Sequence, residues 1–150
     1  MSKKFNGLLG IKSMDCIFCK IANGAISAKK LYETRNSLAF LDAFPLARGH
    51  TLVIPKNHYA KVQDISEPDT QDLFETVRIL ARKLEAISLS SLIAIHNGKE
   101  SGQEIPHVHI HIIPRNPSDG AGPVHGMFVK RPTLDENEFE EIMKIIQNKK

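Results

Sequence analysis

The stretch HVHIHII, residues 107–113, constrains this chain more than any other. Three of the seven histidines fall on alternate positions there, separated by branched apolar residues. A period of two marks a strand with unlike faces. His107, His109 and His111 therefore share one face, and Val108, Ile110 and Ile112 share the other, toward the core. Neighbouring histidines on such a strand sit about 6.6 Å apart. Two positive charges at that distance repel by about 2.5 kcal/mol at an effective dielectric near 20. The row thus resists full protonation, and at least one imidazole is neutral near pH 7. A neutral imidazole is a metal ligand or a nucleophile. The plainer alternative, an exposed face that happens to be histidine-rich, fits less well, because such faces usually carry Thr, Lys or Glu.

One metal ion does not take all three. The outer two residues of a straight row are about 13 Å apart, whereas zinc ligands converge to about 2.0–2.1 Å. The three histidines need different roles. The two cysteines, Cys16 and Cys19, stand in a C-x-x-C spacing. With two histidines from elsewhere they would complete a closed, structural zinc site. A pair of unligated thiols and a redox pair are the alternatives. The redox pair lacks a thioredoxin-like βαβ context.

The rest of the chain supplies a frame. Residues 37–42 and 50–54 read as strands, the second stopped by Pro55, with a hairpin-type loop between them. Residues 66–88 read as the main helix, opened by a capping-box pattern at Ser66 and Asp69. Its apolar stripe is Leu73, Val77, Leu80, Leu84 and Ile87. Residues 91–96 and 107–113 are further strands, the latter stopped by Pro114. Residues 126–130 are a short strand or irregular. A terminal helix opens at Thr133 and Glu136 and carries Leu134, Phe139, Ile142, Met143 and Ile146. Short links between the early strands favour an antiparallel sheet, so the fold class is α+β.

Composition narrows the function classes. The length, 150 residues, suits one domain, read as 14–150 behind a flexible leader at 1–13. Apolar residues at 41% and charged residues at 25% argue against disorder. A net charge of +3 is too small to point to nucleic acid. No run reaches the roughly 20 apolar residues of a membrane span, and the N-terminal apolar run is too broken for a signal peptide. A cytoplasmic protein with no nucleic-acid or membrane partner is expected.

The row matches the pattern His-φ-His-φ-His-φ-φ, with φ apolar. Together with CIFCKI (16–21), FLD (40–42), GHTLVIPKNH (49–58) and HNGKESGQEIPHVHIHIIPR (96–115), it resembles the histidine triad (HIT) superfamily. The zinc-carrying microbial nucleotide-binding branch is the nearest likeness. The resemblance implies a HIT-like α+β fold, with a five-stranded antiparallel sheet, one main helix, a C-terminal helix, and two sheets joined in a homodimer. It implies hydrolysis at the α-phosphate of purine nucleoside phosphoramidates or adenylates through a nucleotidyl-histidine intermediate. His109 would be the nucleophile, and His111 would contact the phosphate and assist the leaving amine. Asn97, Gly102, Gln103 and Glu104 would cradle the phosphate, and Asp42 would accept from the ribose hydroxyls. Ile17, Phe18, Ile21, Phe40 and Leu41 would line the base pocket, although each also reads as plain core. Cys16, Cys19, His50 and His107 would hold a structural Zn2+, with no catalytic metal. His58, His96 and His125 are left as surface or loop residues.

Two departures stand out. Glu104 falls where some members carry Ser or Thr, and its carboxylate is expected to turn away from the phosphate. The region after Arg115 does not match the C-terminal segment of the animal members, which bears on leaving-group choice. A dinucleoside polyphosphate hydrolase and a zinc-braced nucleotide-binding protein with little turnover are the alternative functions.

Overall fold

Among the described residues, five short strands and three α-helices, seen in a computed structural model, position the residues of interest. The structure describes residues 15–149, and the leader expected at 1–13 lies outside them. The elements run α1 (Ile17–Ala22), β1 (Lys30–Glu33), β2 (Ser37–Leu41), β3 (Thr51–Pro55), α2 (Glu67–Leu84), β4 (Ser90–Ala94), β5 (Ile110–Arg115) and α3 (Glu136–Gln147). The strands form one antiparallel sheet in the order β1-β2-β3-β5-β4. The α+β expectation and the five-stranded sheet are both met.

Both faces of the sheet are covered. On one, the α2 stripe Leu73, Val77, Leu80 and Leu84 packs with Ala39, Val53, Val108, Ile110 and Ile112. On the other, Cys16, Phe18 and Ile21 pack with Leu38, Phe40, Leu52 and Ile54. Every residue of β3 is therefore buried, as expected for a central strand. The alternation in the histidine row is now explained: Val108, Ile110 and Ile112 face α2, and the imidazoles face α1.

Several boundaries differ from the sequence reading. Paired structure in the row begins only at Ile110, so His109 precedes the strand and His107 sits in a bend. Pro114 does not stop this strand. It lies beyond the last β3 pair, Thr51↔Ile112, and pairs only with Ser91 of β4. One side there needs no ladder hydrogen bond, which is where proline is tolerated. Pro55 likewise closes β3 as its last residue. Strand β1 escaped the reading because KLYE is a mostly exposed edge with a bulge and no apolar alternation. In α2, Ser66 caps by accepting from the Asp69 N–H at 3.4 Å. The Asp69 carboxylate instead accepts from Asn57 and Tyr59 at 2.9 and 2.7 Å.

The chain divides after Pro117 into two compact units. The second holds a short 3-10 turn at Val124–Met127 and helix α3. Residues 126–130 form no strand. The capping box of α3 is Asp135 with Glu138, two residues past the expected pair, each accepting from the other's N–H at 2.9 Å.

Candidate active site

A cavity of about 700 Å³ opens on the α1 face of the sheet. Its wall includes Ile17, Phe18, Ile21, Phe40, Leu41 and Asp42, together with Gly102, Glu104, His109 and His111. Ten of the twelve expected nucleotide-site residues thus meet around one space. His50 and His96 join them.

Backbone groups fix the protons of this cluster. His109 Nδ1–H donates to the carbonyl of His107 at 2.7 Å. A neutral ring with its proton on Nδ1 keeps a lone pair on Nε2. Phe18 packs edge-on against this ring, with centroids 5.0 Å apart. His107 is turned the other way: its Nε2–H donates to the Pro55 carbonyl at 2.8 Å, which leaves the lone pair on Nδ1. His50 accepts at Nδ1 from the Leu46 N–H at 3.0 Å. Its proton therefore sits on Nε2 and donates to His111 Nδ1 at 2.9 Å. His111 in turn carries its proton on Nε2, a buried atom with no partner in the described structure. That donor waits for an acceptor.

Burial also keeps these rings neutral. Burial pushes the His107 and His111 imidazoles down to about 4, with neighbouring imidazoles adding to the effect. It lowers His109 and His50 as well. The sequence expected the row to resist protonation by mutual repulsion. The first cause is desolvation, and repulsion is secondary.

Behind the cavity, the Sγ atoms of Cys16 and Cys19 both lie 3.5 Å from His107 Nδ1. The fourth donor is His58, whose Nδ1 is 3.3 Å from Cys19 Sγ. All four donor atoms fall within 4.8 Å of one another. Tetrahedral zinc bonds of roughly 2.0–2.3 Å put ligand atoms about 3.3–3.8 Å apart, so the spacing fits. Burial and the neighbouring Cys16 push the Cys19 thiol up to about 12. Thiolates there require a compensating cation. His50, the expected fourth ligand, is not in this group. It lies with Asp42 and His111 instead. Those three also approach one another, with Asp42 Oδ2 at 3.6 Å from His50 Nε2. The proton on that nitrogen is donated to His111 Nδ1, and the other His50 nitrogen accepts from the Leu46 N–H, so His50 has no lone pair free for a metal.

Other assignments also change. The Asn97 side chain accepts from the Val62 N–H at 2.9 Å and donates to Gln63 at 3.0 Å. Gln103 accepts from the Gly98 N–H and donates to the Ala60 carbonyl, both at 2.8 Å. Both amides hold the loop together and do not line the cavity. Glu104 does line it. His58 and His96, read as surface or loop residues, belong to the site.

A HIT domain family model matches residues 23–118. An uncharacterised HIT-like protein of Methanocaldococcus jannaschii is 43% identical over 122 residues, which cover 81% of this chain and 94% of that protein. An adenosine 5'-monophosphoramidase of Schizosaccharomyces pombe is 43% identical over 102 residues, 68% of this chain and 75% of the enzyme. The crystal structure of a HIT family member from Bacillus subtilis superposes with a TM-score of 0.78 at 34% identity, covering 89% of this chain and 95% of that one.

The buried neutral histidines predict how stability responds to pH. His111 titrates near 4 when folded and near the ordinary value of about 6.5 when unfolded. Between those values the unfolded chain binds more protons, so stability falls as pH falls through the window and levels off below it. Urea unfolding measured from pH 7 to 4 should show this decline. His111→Gln should reduce its slope by up to about one proton. An unchanged slope contradicts the assignment.

Proposed function

The chain belongs to the HIT family, and from that premise we propose that it hydrolyses purine nucleoside phosphoramidates and adenylates at the α-phosphorus, releasing the nucleoside monophosphate. The observation that carries this reading is the orientation of His109. Its Nδ1 proton is committed to a backbone carbonyl, so the opposite nitrogen holds a lone pair. Its lowered pKa keeps that pair free near neutral pH. His109 Nε2 attacks phosphorus, the bond to the leaving group breaks, and a nucleotidyl-histidine forms. Water then displaces His109. Splitting one displacement into two lowers each barrier. The backbone bond leaves the attacking ring no rotamer to search.

His111 presents its Nε2–H to a phosphate oxygen, and satisfying that buried donor stabilises the charge on the phosphoryl group. Asp42 accepts from the ribose. One of its oxygens caps the Phe44 N–H at 2.9 Å, and lone pairs remain for hydroxyls. Phe18, Phe40, Ile17, Ile21 and Leu41 give the base an apolar slot. The similarity to an adenosine 5'-monophosphoramidase supports the substrate class.

Zinc is the metal that the C-x-x-C cluster suits. Cys16, Cys19, His58 and His107 would hold it as a closed structural site that ties the start of α1 to the segments flanking β3 and β5. These residues keep His107 in place, and the His107 carbonyl in turn orients His109.

Two measurements test these assignments. Turnover of an adenosine 5'-phosphoramidate without added Mg2+, compared with a diadenosine polyphosphate, should favour the phosphoramidate. His109→Ala should lose at least about a thousandfold in kcat/KM while unfolding as the wild type does. Unchanged turnover in that variant sinks the mechanism. Elemental analysis of protein purified without added metal should find about one zinc per chain. His58→Ala should lose most of it and His50→Ala should retain it. The reverse pattern restores His50 as the ligand.

A further inference from the structure

We propose that His96 is the proton donor to the leaving group, working beside His111. The inference rests on the phosphoramidase reading of the cavity. An expelled amine needs a proton as the P–N bond breaks. The residue first expected to assist it, His111, is poorly placed to do so. Its Nδ1 is filled by the His50 Nε2–H. Giving up the Nε2 proton requires replacement through that bond. His50 has no source to draw on, because its other nitrogen accepts from the Leu46 amide. A backbone N–H does not release its proton. The relay ends on the main chain, so His111 is a fixed hydrogen-bond donor.

The remaining ionisable groups of the cavity leave one candidate. Asp42 accepts from the Phe44 N–H and is given to the ribose, and Glu104 is solvent-exposed. Lys29 is solvent-exposed. His96 lines the cavity with its ring centroid 5.4 Å from that of His111. The chain aims it there. Ile95 packs into the α2 core, and Asn97 is tied to Val62 and Gln63. Gly102, at φ +96°, closes the loop behind the ring, and a Cβ there would meet the imidazole at 3.9 Å.

The step balances. His109 Nε2 bonds to phosphorus, the P–N electron pair passes to the amine nitrogen, and the proton of the His96 imidazolium joins it. A neutral amine departs. The attacking water then gives one proton to neutral His96, its oxygen bonds to phosphorus, and the pair of the P–N bond returns to His109. Both imidazoles end as they began.

Leaving-group dependence tests this assignment. Two substrates are compared: an alkylamine phosphoramidate of AMP, which needs a proton, and the p-nitrophenyl ester of AMP, which departs as a stable anion. His96→Ala should lose about 10²–10⁴-fold in kcat/KM on the amine and much less on the ester. His96→Gln keeps N–H donors but has no proton to transfer, so it should not rescue the amine reaction. The ester activity of both variants reports that they are folded. Equal losses on both substrates, rescue by Gln, or an amine-selective loss in Glu104→Gln in place of the His96 variants overturns the proposal. If the wild type turns over neither substrate, the phosphoramidase reading itself fails, which is a separate outcome.

Discussion

The site depends on hydrogen bonds from backbone groups to imidazole nitrogens. Four histidines crowd one face of the sheet, and each ring has two nitrogens that differ only by a proton. The carbonyls of Pro55 and His107 and the amide of Leu46 decide where those protons sit. His107 thereby offers Nδ1 to the cysteines, His109 offers Nε2 to the cavity, and His111 offers an N–H. Three residues of one type thus present three different groups, set by the main chain around them. Second-partner hydrogen bonds of this kind set tautomer and ring orientation together.

Burial makes the arrangement durable. The apolar residues between the histidines are held against α2, with Val108, Ile110 and Ile112 at most 2% exposed. Phe18 closes the opposite side, within ring contact of both His107 and His109. In that setting the charged imidazole is disfavoured at three of the positions by desolvation before any neighbour is counted. Neutral imidazoles are thus a property of the core. The exposed loops could vary without changing it.

Much of this was legible in the sequence. The alternation placed the histidines on one face, the α2 stripe supplied the core they turn from, and C-x-x-C marked two of the four side chains that gather behind the cavity. The misreadings have particular physical origins. His50 and His58 flank the same strand, and spacing alone does not choose between them. Antiparallel pairing does: Thr51↔Ile112 and Val53↔Ile110 run the start of β3 toward His111 and its end toward His107. His50 must meet His111, and the residues past Pro55 must approach the cysteines. His96 and Asn97 lie just past β4, where no strand alternation says which of the two faces the cavity. The proton assignments were not legible at all, since they require carbonyls from segments up to 52 residues away.

The central claim is the set of tautomers, and nitrogen NMR of the imidazole rings reads it directly. At neutral pH, 15N-labelled protein should show His109 protonated at Nδ1 alone and His111 protonated at Nε2 alone, both neutral. Substituting His50 with Ala should release the His111 preference and leave that of His109. Finding His109 protonated at Nε2, or either ring as an imidazolium at pH 7, would contradict the account.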